Sequence, residues 1–160
     1  MRTLPSFCIR SHGWGIAARL CPANMRTKAR VGGVEINQID YYQAKLDFEI
    51  DSAELFAALQ ADQRKLVVVD ARSAAAYAKE HIPAAINLPY SSLSNAMVRK
   101  LDSDKLYVCY CDGVGSNAST KGAFNLASLG FEVVELRGGL DGWKDDGYTT
   151  ETTHDASSSA

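Results

Sequence analysis

What this chain lacks narrows its function first. No apolar stretch approaches the roughly 20 residues that a membrane-spanning helix needs. The formal net charge is only −2, so no global basic field invites nucleic acid, and a small-molecule partner is the natural expectation. Three histidines and four cysteines are present, but no spacing among them resembles a zinc site. The cysteines also make a poor disulfide framework. Cys8 and Cys21 lie in a tail-like segment, and Cys109 and Cys111 are separated by one residue, where a bridge along a strand would be strained. A reduced, cytoplasmic setting with a working thiol follows. One further absence is local. From Met1 to Arg30 there is no acidic residue, against arginines at positions 2, 10, 19, 26 and 30. Two readings of that basic extension stand: a transit peptide for organelle import, or a disordered or misassigned start with Met25 as initiator.

The remainder has the length and composition of one well-cored domain. We expect a basic extension over 1–33, a domain over 34–148 and a disordered Thr/Ser/Ala-rich tail over 149–160. Within the domain, helical and strand patterns alternate. Asp51, with Glu54 three residues on, reads as a capping box ahead of a helix bearing Leu55, Ala58 and Leu59 on one face. Leu66-Val67-Val68-Val69 is a continuous apolar run, the pattern of a strand covered on both faces. Ser73 can cap a short alanine-rich helix through Lys79, Pro83 stops it, and Ala85 to Leu88 offers a second strand. Leu106 to Tyr110 is a third strand. A helix from about Ala118 carries Ala123, Leu126 and Ala127 inward and ends at Gly130, and Phe131 to Leu136 is the next strand. The pattern predicts an α/β fold with an open, mostly parallel sheet and helices on both faces, whose ligands bind where strand C-terminal ends meet loops.

Cys111 lies at such an end. It closes an apolar strand and opens the segment Asp112-Gly113-Val114-Gly115-Ser116-Asn117 before a helix. A strand, a tight loop and a helix in that order place a sulfur beneath the positive end of a helix dipole and near loop amides, which favours a thiolate or a bound anion. The position suits a nucleophile. Cys109, two residues earlier, falls on the same side of a regular strand and reads as core packing. Asp70 and Arg72 read as a charge-assisted pair that holds the following loop. His81 reads as a turn histidine bonded to backbone, and Trp143 as packing beyond a bend at Gly138 and Gly139. Lys121, in the first helical turn, either supplies positive charge to a ligand or is solvated.

Several separated segments carry a resemblance. Val69-Asp70-Ala71-Arg72, Tyr77, Glu80 to Leu88 with its His81-Ile82-Pro83, the Cys111 loop, Gly130-Phe131 and Arg137-Gly138-Gly139-Leu140-Asp141-Gly142-Trp143 together resemble the rhodanese-like domain, in that order and over roughly residues 50–148. The resemblance implies a sulfurtransferase needing no cofactor. Cys111 would take the outer sulfur of a donor such as thiosulfate, become a persulfide and pass the sulfur to cyanide, a small thiol or a protein acceptor. The backbone of Asp112, Gly113, Val114, Gly115, Ser116 and Asn117 would bind the donor, with Asp70, Arg72 and Lys121 in support. Neither nucleic acid nor a membrane is expected as partner.

The loop departs from the family pattern. Asp112 follows the cysteine, no Arg or Lys appears until Lys121, and Ser116 stands where a Cys-x-Gly-x-x-Cys-Asn loop has its second cysteine. The alternative is therefore a catalytically weak module that binds a partner or carries sulfur for it. A cysteine-dependent phosphatase is a lesser alternative, because Ser116 and Asn117 occupy the place of its phosphate-clamping arginine.

Overall fold

In the computed structural model, the residues described are 28–31, 34–62, 65–93 and 95–153. The basic extension through residue 27 and the tail beyond Thr153 lie outside them. The chain divides after Gln38 into two units. The first contains an antiparallel hairpin, β1 (Lys28–Val31) with β2 (Val34–Asn37). The second begins within α1 (Gln38–Phe48) and continues through β3 (Glu49–Ile50), α2 (Ser52–Asp62), β4 (Leu66–Asp70), α3 (Ala74–Lys79), β5 (Ile86–Asn87), α4 (Asn95–Val98), β6 (Leu106–Tyr110), α5 (Ala118–Ser128), β7 (Glu132–Leu136) and α6 (Gly139–Asp145).

Its sheet has five strands in the order β3-β7-β6-β4-β5, every pairing parallel. Parallel strands need both faces covered, and the core divides accordingly. Val68, Val108, Tyr110 and Leu136 pack with Leu55, Leu59, Leu140 and Trp143, so α2 and α6 cover one face. Val69, Tyr107 and Cys109 pack with Leu126, Ala123 and Met97, so α5 and α4 cover the other. The period of two along β6 thus sends Tyr107, Cys109 and then Cys111 toward α5, and Val108 and Tyr110 toward α2 and α6.

Local signals match the elements they imply. Asp51 N–H donates to Glu54 Oε2 at 3.0 Å and Glu54 N–H to Asp51 Oδ1 at 2.9 Å, a closed capping box at the start of α2. Ser73 Oγ accepts from Ala76 N–H at 3.3 Å at the start of α3. Gly130 has φ +92°, the left-handed conformation that ends α5. Composition is less informative after the domain. Thr149 to Thr153 reads as a disordered tail, yet Trp143 Nε1–H donates to Thr149 O at 2.8 Å, and the His81 and Glu151 backbones exchange hydrogen bonds at 2.9 and 2.8 Å. Polar residues lacking periodicity are held here by hydrogen bonds to the domain's side chains and main chain, which composition does not report. No helix among the described residues is long and apolar enough to cross a membrane.

The buried acids of this core make stability fall in alkali. Burial, aided by the Glu135 charge, pushes the Cys109 thiol up to about 12, and burial followed by the Asp70 charge raises the Tyr110 phenol. The unfolded chain gives up the Cys109 proton from about pH 8.5 and the folded chain holds it, so folding free energy is lost between those values as pH rises. The urea midpoint should decline from about pH 8.5 upward and decline less steeply in Cys109→Ala. Equal slopes in the two proteins would contradict this.

Candidate active site

Because the strands are parallel, the loops after β4, β6 and β7 emerge at one end of the sheet, and those after β4 and β6 meet at Arg72. Its guanidinium donates to both Asp70 oxygens, Nε to Oδ1 at 3.0 Å and Nη2 to Oδ2 at 2.7 Å. It also reaches Asp112 Oδ1 at 2.9 Å and the Glu80 carbonyl at 2.6 Å. Asp70 is fully buried and Arg72 nearly so. Tyr110 Oη–H donates to Asp70 Oδ2 at 2.7 Å and accepts from Ile82 N–H at 3.1 Å. Asn87 Nδ2 donates to the carbonyls of Asp70 and Arg72 at 3.1 and 3.0 Å. Burial works against the guanidinium charge, but the hydrogen bonds to Asp70 and Asp112 outweigh it and hold the Arg72 pKa above its ordinary value. Asp112, the residue that sets this loop apart, is thereby tied back to β4.

A second anchor comes from α6. Leu140 N–H donates to Cys111 O and Asp141 N–H to Asp112 O, both at 2.8 Å. That approach needs Gly139. Its φ is +59°, and a Cβ there would stand 2.5 Å from Cys111 O. The Gly138-Gly139 bend therefore both places Trp143 in the core and brings the helix onto the Cys111 backbone.

The Cys111 side chain packs with Ala71 and Ala118 and lines a cavity of about 610 Å³ shared with Gly113, Val114, Ser116, Ser119, Glu135 and Arg137. Oxygens surround the sulfur at hydrogen-bonding distance. Gly113 O and Ser116 O each lie 3.6 Å from Sγ, alternative acceptors of its one proton, and the Ser119 hydroxyl is placed to donate to Sγ at 3.0 Å. The loop closes on itself, Ser116 N–H donating to Gly113 O at 3.0 Å and Ala118 N–H to Ser116 Oγ at 3.3 Å. Val114 is 94% exposed at its tip. Asn117 precedes α5 without a side-chain cap bond, and Gly115 has open space around it.

The other candidates fall outside the cavity. Lys121 extends its ammonium over the Tyr90 ring, 5.0 Å from the centroid. His81 is buried, stacked on Tyr77 at 4.0 Å, with Nδ1–H donating to Tyr77 O at 2.8 Å. Sequence reasoning passed over Ser119, Thr120 and Glu135. A signal existed for Glu135, an acid at the C-terminal end of an apolar strand, but its partner was not legible. The register that sets it opposite Cys109 on β6 is a tertiary fact.

A parallel α/β sheet whose central strand ends at a cysteine-bearing loop that leads into a helix defines the class of fold. The chain belongs to the rhodanese-like domain family, whose model matches residues 52–146. Among solved structures it is similar to the BH2092 protein from Bacillus halodurans, at 36% identity and a TM-score of 0.68, covering 72% of this chain and 84% of that one. It is also similar to a thiosulfate sulfurtransferase from Pseudomonas aeruginosa, at 30% identity and a TM-score of 0.55, covering 66% of this chain and 19% of that one. A probable molybdopterin-synthase adenylyltransferase from Porphyra purpurea is 33% identical over 97 residues, 59% of this chain and 25% of that protein. The chain spans between a quarter and about half the length of the curated relatives it matches.

Removing Arg72 would leave Asp70 buried and uncompensated. Arg72→Met should cost about 3–5 kcal/mol in chemical denaturation, the range for breaking a buried pair from one side. Asp112→Asn, which alters only the partly exposed end of the network, should cost under about 1 kcal/mol. Equal losses from the two would refute the assignment of the structural role to the Asp70 pair.

Proposed function

We propose that this chain is a sulfurtransferase that moves sulfane sulfur through a persulfide on Cys111. The observation that carries this reading is the placement of the Cys111 sulfur at the end of β6, in a cavity beside the start of α5. The family assignment and the likeness to a thiosulfate sulfurtransferase support the same chemistry. In the first half-reaction the Cys111 thiolate attacks the outer sulfur of thiosulfate. A new S–S bond forms on Sγ, and sulfite leaves with the electron pair of the old one. In the second, a cyanide or thiolate acceptor attacks the outer sulfur of the persulfide and the Cys111 thiolate departs. The loop from Asp112 to Asn117 holds the donor, and no cofactor enters either step.

A second reading has a specific observation behind it. The acceptor oxygens around Sγ suit a protonated thiol, and a thiol kept protonated is a weak nucleophile. A rhodanese-like module that binds a partner, using the exposed loop tip at Val114 and Gly115, would tolerate that arrangement.

Intact-mass measurement separates the two. Incubation with thiosulfate should add one sulfur mass to the protein and to Cys109→Ser, and none to Cys111→Ser. No adduct on the unsubstituted protein would favour the binding module.

A further inference from the structure

Ser119 stands between the reacting sulfur and a carboxylate. Its Oγ is 3.0 Å from Cys111 Sγ and 2.6 Å from Glu135 Oε1, and its residue is 1% exposed. Thr120 Oγ1–H donates to the same Glu135 oxygen at 2.9 Å. A hydroxyl has one hydrogen, and an ionised carboxylate can only accept. The shorter, charge-assisted bond claims that hydrogen. Ser119 then turns lone pairs toward the sulfur, where the carbonyls of Gly113 and Ser116 are acceptors too. Three acceptors around one sulfur favour S–H over S⁻, and a nearby negative charge favours it further.

We propose that Glu135 is a positioning residue which, acting through Ser119, holds Cys111 as a thiol at rest. Compensating the Glu135 charge releases the Ser119 hydrogen to the sulfur, where it stabilises the thiolate. The proton of Cys111 departs to solvent, no bond to Ser119 breaks, and the hydroxyl rotates from one acceptor to the other. The inference rests on the reading of Cys111 as the reacting thiol.

The groups facing this pair are few. Tyr41 and Lys45 of α1, Glu49 of β3, Thr120 of α5, Arg137 beyond β7 and Cys111 line the cavity with Glu135, and Cys109 of β6 lies beside it in register. Lys45 is committed to Glu49 by an ion pair. The Arg137 side chain is 69% exposed, 3.9 Å from Asp51. Neither cation forms an ion pair with Glu135 among the described residues, although the Glu135 charge is one of the weaker causes that raise the Lys45 pKa.

The test is the alkylation rate of Cys111 by iodoacetamide, a neutral reagent, followed by peptide mass across a pH series. Glu135→Ala removes both charge and acceptor, and should raise the rate at neutral pH about tenfold and move the pH midpoint down, in keeping with the shift a close charge produces. Glu135→Gln keeps a neutral acceptor and should fall between Glu135→Ala and the unsubstituted protein, which keeps the inference testable if the alanine variant does not fold. In a Ser119→Ala background the effect of Glu135→Ala should shrink to within about twofold. Unchanged or slower alkylation in both Glu135 variants would overturn the inference. So would an undiminished gain in the Ser119→Ala background, which would assign the effect to charge acting through space. Failure of thiosulfate to add sulfur while these alkylation effects hold would remove the sulfurtransferase reading and leave this one standing.

Discussion

Arg72 gathers two carboxylates and a backbone carbonyl around one buried guanidinium, and the geometry of the site follows from that arrangement. Asp70 ends β4, Asp112 follows the cysteine at the end of β6, and Glu80 is the C-cap of α3. A charge taken out of water costs several kcal/mol unless it is paired and fully hydrogen-bonded. Every partner here is therefore fixed as strongly as the others require. Tyr110 and Asn87 complete the shell from β6 and β5. Three strand ends are held in register by side chains beyond their last ladder bonds, and the backbone of Cys111 has little freedom to move. The same ion pair explains how an aspartate can follow the cysteine: its carboxylate is drawn toward Arg72 and away from any ligand above the sulfur.

The surroundings of the sulfur are richer in oxygen than its place in the fold implies. A strand end beneath a helix start favours an anion. The immediate neighbours of Sγ are instead oxygens, and Ser119 links it to Glu135. On the proposed reading, these opposing influences restrain the Cys111 thiol until the charge near Glu135 changes. Cys109, two residues away and on the same face, is different in kind. Its burial keeps it protonated and confines it to packing against α5.

The fold was largely legible because its determinants are local. The capping box at Asp51 and Glu54, the Val67 to Val69 run, Ser73 before an alanine-rich turn and Gly130 at a helix end each encode their element within a few residues. The chain ahead of Glu49 was less legible. α1 has no buried residue among those described, and its Ile39, Tyr42 and Leu46 are exposed, so no apolar stripe marks it. At the site, sequence order pointed to Cys111 and to an Asp70–Arg72 pair, because those residues sit at strand ends. It pointed to Lys121 as a supporting charge, whereas the structure places that ammonium over Tyr90. The Ser119–Glu135 contact depends on the register of β7 against β6 and on the rotation of α5, neither of which a single sequence displays. The hold of residues 149–153 rests on the Trp143 indole N–H and on backbone pairing of Glu151 with His81, which composition is equally unable to reveal.

The most direct test of the account is a crystal structure of the protein after reaction with thiosulfate. The account predicts an additional sulfur bonded to Cys111 Sγ within the cavity, with the Arg72 contacts to Asp70 and Asp112 intact. Added sulfur on Cys109, or an unmodified Cys111 with the donor bound elsewhere, would contradict it.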